Sequence, residues 1–119
     1  MLITMMRSKI HRAVITETHL EYEGSITIDE ALIEKAGMHE HERVQVVNLN
    51  NGSRIETYII KGKKGSKIIC LNGPAARSGL PGDEVIIITY GIMSEEEADL
   101  FKPTVVTVNK DNSIKDIKK

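Results

Sequence analysis

Aromatic residues are scarce in this sequence of 119 residues. Tryptophan is absent, and only three tyrosines and one phenylalanine are present. The apolar core must therefore be built from isoleucine, valine and leucine, and the β-branched members of that group favour strands over helices. A platform that stacks the bases of single-stranded nucleic acid needs more aromatic faces than this chain offers.

Cysteine pairs, long apolar runs and an excess of charge of one sign are also missing. Cys70 is the only cysteine, which excludes a disulfide within the chain. No apolar run approaches the roughly 18 residues of a membrane-spanning helix, and Arg7 and Lys9 interrupt the N-terminus too early for a secretory signal. With 16 basic and 17 acidic residues, the net charge is −1, which argues against an extended nucleic-acid surface. We therefore expect a single cytoplasmic globular domain over residues 1–119, with no membrane or nucleic-acid partner.

Short β-branched stretches separated by turns predict a mainly β fold. Six or seven strands are predicted, over Ile10–Thr18, Ser25–Ile28, Val44–Leu49, Ile55–Ile60, Lys67–Leu71, Glu84–Tyr90 and Thr104–Val108. The stretch Glu84–Tyr90 is strongly apolar, which is typical of a central strand. Many short strands with little helix favour a small closed β-barrel, because closure removes exposed strand edges.

Capping signals predict two short helices. Asp29 can cap a helix over Glu30–Ala36, and Gly37 stands where a helix usually ends. Ser94 and Glu97 match a capping box at the start of the second helix.

Turn signals and charge complete the outline of the chain. Asn51-Gly52 is a strong hairpin signal. Residues 72–83 contain five glycine or proline breakers and predict a loop with at most one helical turn. The charged residues 110–119 are expected to form a flexible, frayed tail.

Residues capable of chemistry occur in short clusters, and each cluster alone has an ordinary explanation. The pair Gly24-Ser25 is of a kind that usually marks a turn. Arg54, followed by Thr57 and Tyr58 on a predicted strand, is typical of a solvated sheet face. Taken one at a time, these residues leave the function open.

No metal site is predicted. His39 and His41 are not followed by further ligands at suitable spacing. Cys70 lies in a predicted apolar strand, where a buried and inert thiol is expected.

The order in which the clusters occur changes this interpretation. The motifs are Lys9-x-His11-Arg12-Ala13, Tyr22-x-Gly24-Ser25-Ile26-Thr27-Ile28-Asp29, Asn51-Gly52, Arg54-x-x-Thr57-Tyr58, Gly65-Ser66, Asn72-Gly73 and Gly82-Asp83. Together they resemble the bacterial aspartate 1-decarboxylases, a family of pyruvoyl-dependent enzymes that make β-alanine for pantothenate and coenzyme A synthesis. The resemblance spans residues 1–103 without obvious gaps, and its most specific part is Tyr-x-Gly-Ser with Arg-x-x-Thr-Tyr downstream.

The resemblance implies a fold, an assembly and a maturation step. The implied fold is a six-stranded double-psi β-barrel with short helices, assembled as a homotetramer with active sites at the subunit interfaces. The implied maturation is autocatalytic cleavage between Gly24 and Ser25, which yields chains 1–24 and 25–119. The implied cofactor is a covalent pyruvoyl group derived from Ser25, with no metal.

The residue types suit that chemistry. Ser25 Oγ attacks the Gly24 carbonyl, elimination releases Gly24 as a new C-terminus, and hydrolysis with loss of ammonia leaves a pyruvoyl group at position 25. Glycine permits a strained backbone and puts no side chain in the way. In the implied reaction, the pyruvoyl ketone forms a Schiff base with the substrate amine, and the adjacent amide carbonyl accepts the electrons left behind by CO2.

The resemblance also distributes roles among the other polar residues. Tyr58 is the implied proton donor. Thr57 and Asn72 are implied to support processing by stabilising an oxyanion. The substrate, L-aspartate, carries two carboxylates, for which Arg54 offers a bidentate fork and Lys9 a point charge.

The remaining implied site residues line the pocket or support it. Substrate binding also involves Thr57, Gly73, Pro74 and Ala75, and the supporting residues are His11 and Tyr22. Pro74 has no N–H group and cannot donate a hydrogen bond to a substrate carboxylate.

Two alternative functions remain open from the sequence. A small barrel that binds DNA or protein without catalysis would explain the strand pattern, but not the joint presence of Gly24-Ser25, Arg54 and Tyr58. The same pyruvoyl chemistry on another amino acid is the closer alternative, and relative activity on aspartate and glutamate would distinguish it.

Overall fold

The computed structural model describes residues 1–119 and is built mainly from strands, as predicted. The nine strands are β1 (Leu2–Val14), β2 (Glu17–His19), β3 (Ser25–Asp29), β4 (Arg43–Asn48), β5 (Arg54–Gly62), β6 (Ile69–Asn72), β7 (Glu84–Ser94), β8 (Thr104–Val108) and β9 (Ile114–Lys118). The three short helices are α1 (Glu30–Ala36), a 3₁₀ helix (Gly73–Ser78) and α2 (Glu95–Leu100). None of these helices has the length and apolar character needed to cross a bilayer.

The structure has nine strands instead of the expected six. β1 begins at Leu2 rather than at Ile10, β2 is a separate short strand, and β9 is additional. The strands follow the order β2-β6-β3-β5-β4-β7-β1-β8-β9, with β2 and β9 at the two ends of a ladder that does not close. Pairing with β7 along its whole length orders the first residues of β1, which lack a β-branched run of their own.

The core lies on one face of the curved sheet because side chains alternate along each strand. In β7, Val85 and Ile87 are buried, whereas Ile86 and Ile88 are partly exposed on the opposite face. β7 pairs with β4 and β1 on its two sides, which confirms its predicted central position. The main cluster of 19 buried side chains contains no aromatic residue, as the composition requires.

The ends of α1 follow the capping prediction. Asp29 Oδ1 accepts a hydrogen bond from the Ala31 N–H at 2.8 Å, and Gly37 ends the helix with a φ of +70°. The buried Asp29 carboxylate also accepts from the backbone N–H groups of Gly65 (2.9 Å) and Lys67 (2.7 Å). One side chain therefore starts α1 and holds the loop that follows β5.

The other local signals are confirmed as well. Ser94 and Glu97 form the predicted capping box at the start of α2. β4 and β5 form an antiparallel hairpin on either side of Asn51-Gly52, where Gly52 has a φ of +76°.

The C-terminal segment differs from the expected frayed tail. Ile114–Lys118 forms β9, which pairs antiparallel with β8. In the turn before it, the buried Asn112 accepts from the Val14 N–H at 2.7 Å and donates to the carbonyls of Val14 and Lys67, both at 2.9 Å. These contacts join residues that are distant in sequence. The prediction of a frayed tail was based on local charge and was therefore wrong.

Replacement of Asn112 by glycine is expected to lower the free energy of unfolding by about 2–3 kcal/mol. The change removes three hydrogen bonds and leaves partly buried backbone groups without partners. Glycine tolerates the φ of +66° at this position, so backbone strain is not added. Urea denaturation measures the loss, and Asn109→Ala is the control because the Asn109 side chain bonds only to Ser113, at an exposed site. Equal stability of the two variants would contradict the anchoring role of Asn112.

Candidate active site

The chain contains three Gly-Ser pairs, and the structure buries only one of the three serines. Ser25, the first residue of β3, has no exposed surface. Ser53 is half-buried and Ser66 is exposed. Because a buried hydroxyl needs hydrogen-bond partners, the surroundings of Ser25 distinguish it from the other two.

Asn72 on β6 lies directly opposite Ser25 in the antiparallel β3–β6 pair. Its Nδ2 donates to Ser25 Oγ at 2.8 Å and to Thr27 Oγ1 at 2.9 Å. The Ser25 hydroxyl donates in turn to the Glu23 carbonyl at 3.3 Å. Asn72 therefore holds the Ser25 oxygen in one position beside the peptide bond that precedes it.

The partners of Ser25 differ from those of a hydrolase nucleophile. No histidine or carboxylate hydrogen-bonds to Ser25 Oγ, whereas a hydrolytic serine is paired with a histidine base. Ser25 therefore lacks the base that activates a hydrolytic serine.

Gly73, at the start of the 3₁₀ helix, packs directly against the backbone that leads into Ser25. A Cβ at Gly73 would lie 2.5 Å from the Tyr22 carbonyl oxygen, 2.8 Å from the Gly24 nitrogen and 3.0 Å from the Glu23 carbonyl carbon. Gly73 also has a φ of +60°. Both the space and the backbone conformation at this position therefore require glycine.

Five of the twelve predicted site residues, namely Gly24, Thr57, Tyr58, Pro74 and Ala75, line one cleft of about 410 Å³. The lining residues are Gly24, Ile55, Glu56, Thr57, Tyr58, Pro74, Ala75 and Ser78. Parallel pairing of β3 with β5 aligns Ile26 with Ile59, so the residues just before each of them, Ser25 and Tyr58, are neighbours across the two strands. The cleft thus brings the Gly24-Ser25 bond together with a threonine and a tyrosine.

Arg54 does not line this cleft. It lies at the start of β5, is exposed, and its Nη1 donates to Gln45 Oε1 at 2.8 Å. Gln45 belongs to a second, larger cleft of about 470 Å³ that also includes Tyr90. Because Glu56 lines both clefts, the two adjoin each other, and Arg54 stands on the side of the second one.

Lys9 and His11 also lie away from Ser25. Both are on β1, which is separated from β5 by β7 and β4, a span of three strand spacings or roughly 14 Å. Burial, Lys9 and Arg12 together lower the pKa of His11, and its Nδ1 is buried without a hydrogen-bond partner. Tyr22 is 60% exposed and lies two residues before Gly24.

Sequence reasoning missed the polar neighbours that β2 and β6 bring to Asn72. Cys70 Sγ donates to Asn72 Oδ1 at 3.2 Å. Beyond Cys70, potential ligand atoms of Glu17, His19 and Cys70 lie within 4.8 Å of one another. His19 Nε2 is already paired with Glu17 Oε2 at 2.9 Å. Only the alternation of polar residues along these strands could have indicated the group, and β2 was not predicted as a strand of its own.

Comparison with known proteins agrees with the geometry. The sequence model of the family described as aspartate decarboxylase matches residues 1–115. The chain is 60% identical over 118 residues to the aspartate 1-decarboxylase of Acetivibrio thermocellus, covering 99% of this chain and 94% of that one. It is 57% identical over 117 residues to that of Clostridium beijerinckii (98% and 94% covered) and 59% identical over 111 residues to that of Bacillus pumilus (93% and 87% covered). The chain therefore belongs to the aspartate decarboxylase family.

Proposed function

We propose that this chain is an aspartate 1-decarboxylase that generates its own catalytic carbonyl group by cutting the Gly24–Ser25 bond. The observation that carries the proposal is the buried Ser25 hydroxyl, which directly follows a glycine and accepts a hydrogen bond from Asn72 at 2.8 Å. Relatives with up to 60% identity over nearly the whole chain bear the name of this activity.

Self-cleavage begins at Ser25. Its Oγ attacks the Gly24 carbonyl carbon, the Gly24–Ser25 C–N bond breaks, and Gly24 becomes esterified to Oγ while the Ser25 nitrogen becomes an amine. Loss of the Ser25 α-proton then breaks the Cβ–Oγ bond and releases Gly24 as a carboxylate. Water adds to the resulting imine tautomer and ammonia leaves, so that the new carbonyl oxygen comes from water.

Thr57 and Asn72 support the first step. Attack on the Gly24 carbonyl creates an oxyanion, and a fixed hydrogen-bond donor in a buried site stabilises such a charge. Thr57 lines the same cleft as Gly24, and its hydroxyl has no other hydrogen-bond partner in the chain. Asn72 keeps Ser25 Oγ in place.

The residues around position 25 fit the group that cleavage produces. The pyruvoyl carbonyl supplies an electron sink for the decarboxylation of a bound amino acid. Tyr58 lines the cleft beside position 25 and gives a proton to the carbon that loses CO2. Pro74 and Ala75 also line the cleft, and Pro74 has no N–H group to donate.

The cations for the two carboxylates of L-aspartate come from more than one chain. Arg54 lies beside the adjoining cleft and can bind a carboxylate through its fork. Lys9 and His11 lie three strands away from β5 within one chain, so the proposal places them at the Ser25 cleft of a second copy. We therefore include in the proposal a homotetramer whose active sites lie at subunit interfaces, with His11 and Tyr22 as supporting residues.

The proposal extends to the closure of the fold as a double-psi barrel. Consecutive residues between β1 and β2 bond to the segment just before β7 and to β6, which are separated from each other in the ladder. The Thr16 N–H donates to the Ile69 carbonyl at 2.8 Å, and Ile15 exchanges bonds with Asp83 (2.9 Å) and Gly82 (2.8 Å). The parallel pairs β1–β8, β2–β6 and β3–β5 support the same topology.

The proposed function is tested by intact mass and by CO2 release. Denatured protein should give two chains, 1–24 and 25–119, the second lighter by one ammonia than a chain that starts with serine. The cleaved protein should release CO2 from L-aspartate and much less from L-glutamate. A preference for L-glutamate would show that the same chemistry acts on a different substrate. A chain that stays uncut after prolonged incubation and releases no CO2 would contradict the proposal.

Tyr58→Phe is expected to leave self-cleavage intact and to lower kcat by about 10²-fold or more, the usual contribution of a positioned acid. The ring still fills the cleft, so substrate binding should change little. Turnover is measured per cleaved chain. Tyr90→Phe is the matched control, because Tyr90 lines the adjoining cleft and donates to Gln45. Normal turnover by Tyr58→Phe would remove Tyr58 from the role of proton donor.

A further inference from the structure

Six polar residues occupy one face of three adjacent strands around the proposed cleavage site. β6 lies between β2 and β3, and the register aligns Glu17, Cys70 and Thr27 in one row and His19, Asn72 and Ser25 in the next. The proposed maturation uses Ser25 and Asn72 but gives no role to Cys70. Its side chain is buried on the same strand as Asn72, two residues away.

The hydrogen bonds in this group depend on which way the Asn72 amide is turned. The Ser25 hydroxyl donates its only proton to the Glu23 carbonyl, so its oxygen can only accept from Asn72. Nδ2 meets this need, donating to Ser25 at 2.8 Å and to Thr27 at 2.9 Å. The amide oxygen then faces Cys70 Sγ at 3.2 Å and requires a donor there.

A turned amide would reverse these relations. Its oxygen would face the Ser25 and Thr27 hydroxyls, and its N–H groups would face a sulfur atom that is a weak acceptor. Ser25 would then lose the donor that fixes its oxygen and would be free to donate to Asn72 instead of Glu23. Whether Cys70 Sγ, which faces Asn72 Oδ1, acts as a donor therefore determines which orientation the Asn72 amide adopts.

We propose that Cys70 is a positioning residue for self-cleavage, because its S–H group donates to Asn72 Oδ1 and so keeps the Asn72 N–H group on Ser25 Oγ. This inference rests on the proposed function, since it concerns the same cleavage step. It assigns Cys70 no role after cleavage, when Ser25 Oγ no longer exists.

The protonation state of the thiol agrees with a donor role. Burial, and to a smaller extent the charge of Glu17, raise the pKa of Cys70 to about 11. The thiol therefore keeps its proton at neutral pH. A thiolate would have no proton to donate and would repel the amide oxygen.

Two substitutions at position 70 distinguish the effect of the hydrogen-bond donor from the effect of side-chain packing. Cys70→Ser keeps an O–H donor, whereas Cys70→Ala removes the donor. Ile69→Val is the matched control, because it trims a buried side chain of the same strand on the opposite, core-facing side. Freshly purified chains are incubated, the uncut fraction is followed by intact mass, and kcat is measured per cleaved chain.

Only Cys70→Ala is expected to cleave more slowly. Its cleavage rate should fall by about threefold to tenfold, which is the effect on a rate of losing one neutral hydrogen bond. Cys70→Ser and Ile69→Val should cleave within twofold of the unmodified chain, and all three variants should have unchanged kcat per cleaved chain. Cleavage of Cys70→Ala at the normal rate would overturn the proposal, and so would equal slowing by Cys70→Ser. Failure of the unmodified chain to cleave would instead contradict the proposed function itself.

Discussion

The Ser25→Ala variant is expected to remain one uncut chain and to release no CO2 from L-aspartate. In the proposed maturation the Ser25 hydroxyl is the attacking group, and a methyl group can neither attack nor become a carbonyl. Alanine fits the space of the buried serine, and the hydrogen bonds lost are those with Asn72 and Glu23. The stability change should be only about 1–3 kcal/mol. Intact mass measures cleavage, and circular dichroism shows that the variant is folded.

Ser66→Ala is the matched control for this variant. Ser66 also follows a glycine, but its side chain is exposed and its hydroxyl donates to the Lys63 carbonyl in a turn. The control should cleave and turn over like the unmodified chain. A cut Ser25→Ala chain, or CO2 release by it, would show that position 25 is not the source of the catalytic group.

The Gly73→Ala variant is expected to lose both stability and cleavage. The new Cβ would lie 2.5 Å from the Tyr22 carbonyl oxygen and 2.8 Å from the Gly24 nitrogen, which are backbone atoms that cannot move aside alone. The left-handed φ of +60° adds strain for alanine. Overpacking and backbone strain together should lower the free energy of unfolding by about 2–5 kcal/mol. Because the displaced backbone leads into the proposed cleavage site, cleavage should slow by about tenfold or more.

Gly37→Ala separates strain from crowding. Gly37 has a similar φ of +70°, but a Cβ there would meet no atom within 4 Å. This control should lose only the strain energy, about 1 kcal/mol, and should cleave normally. Stability is compared by urea denaturation in chains that also carry Ser25→Ala, so that all are uncut. Normal cleavage by Gly73→Ala would show that close packing on residues 22–24 does not matter for the reaction.

Local signals in the sequence predicted much of the fold. The Asp29 cap, the Gly37 helix end, the Ser94 capping box and the Asn51-Gly52 hairpin are all confirmed. Each depends on hydrogen bonds between residues close in the chain, so a short stretch of sequence contains the whole signal. β9 was missed for the opposite reason, because its order depends on pairing with β8 and on the Asn112 contacts to Val14 and Lys67.

The candidate site was likewise predictable from the sequence only in part. The family motifs located Gly24-Ser25, Asn72 and Tyr58 without any structure. The motifs could not show that Cys70 bonds to Asn72, since that contact depends on which side chains share a strand face. They also did not show that Lys9 lies three strands away from β5 in the same chain.

Composition and motifs were enough to predict a mainly β chain with an aliphatic core that resembles one family of decarboxylases. Composition and short-range hydrogen bonding suffice for the first two, and motif order suffices for the third. The folded chain was needed to show which of the three Gly-Ser serines is buried and held by a hydrogen-bond donor. Burial and strand register depend on which distant segments pair, and three locally similar dipeptides carry no information about that pairing.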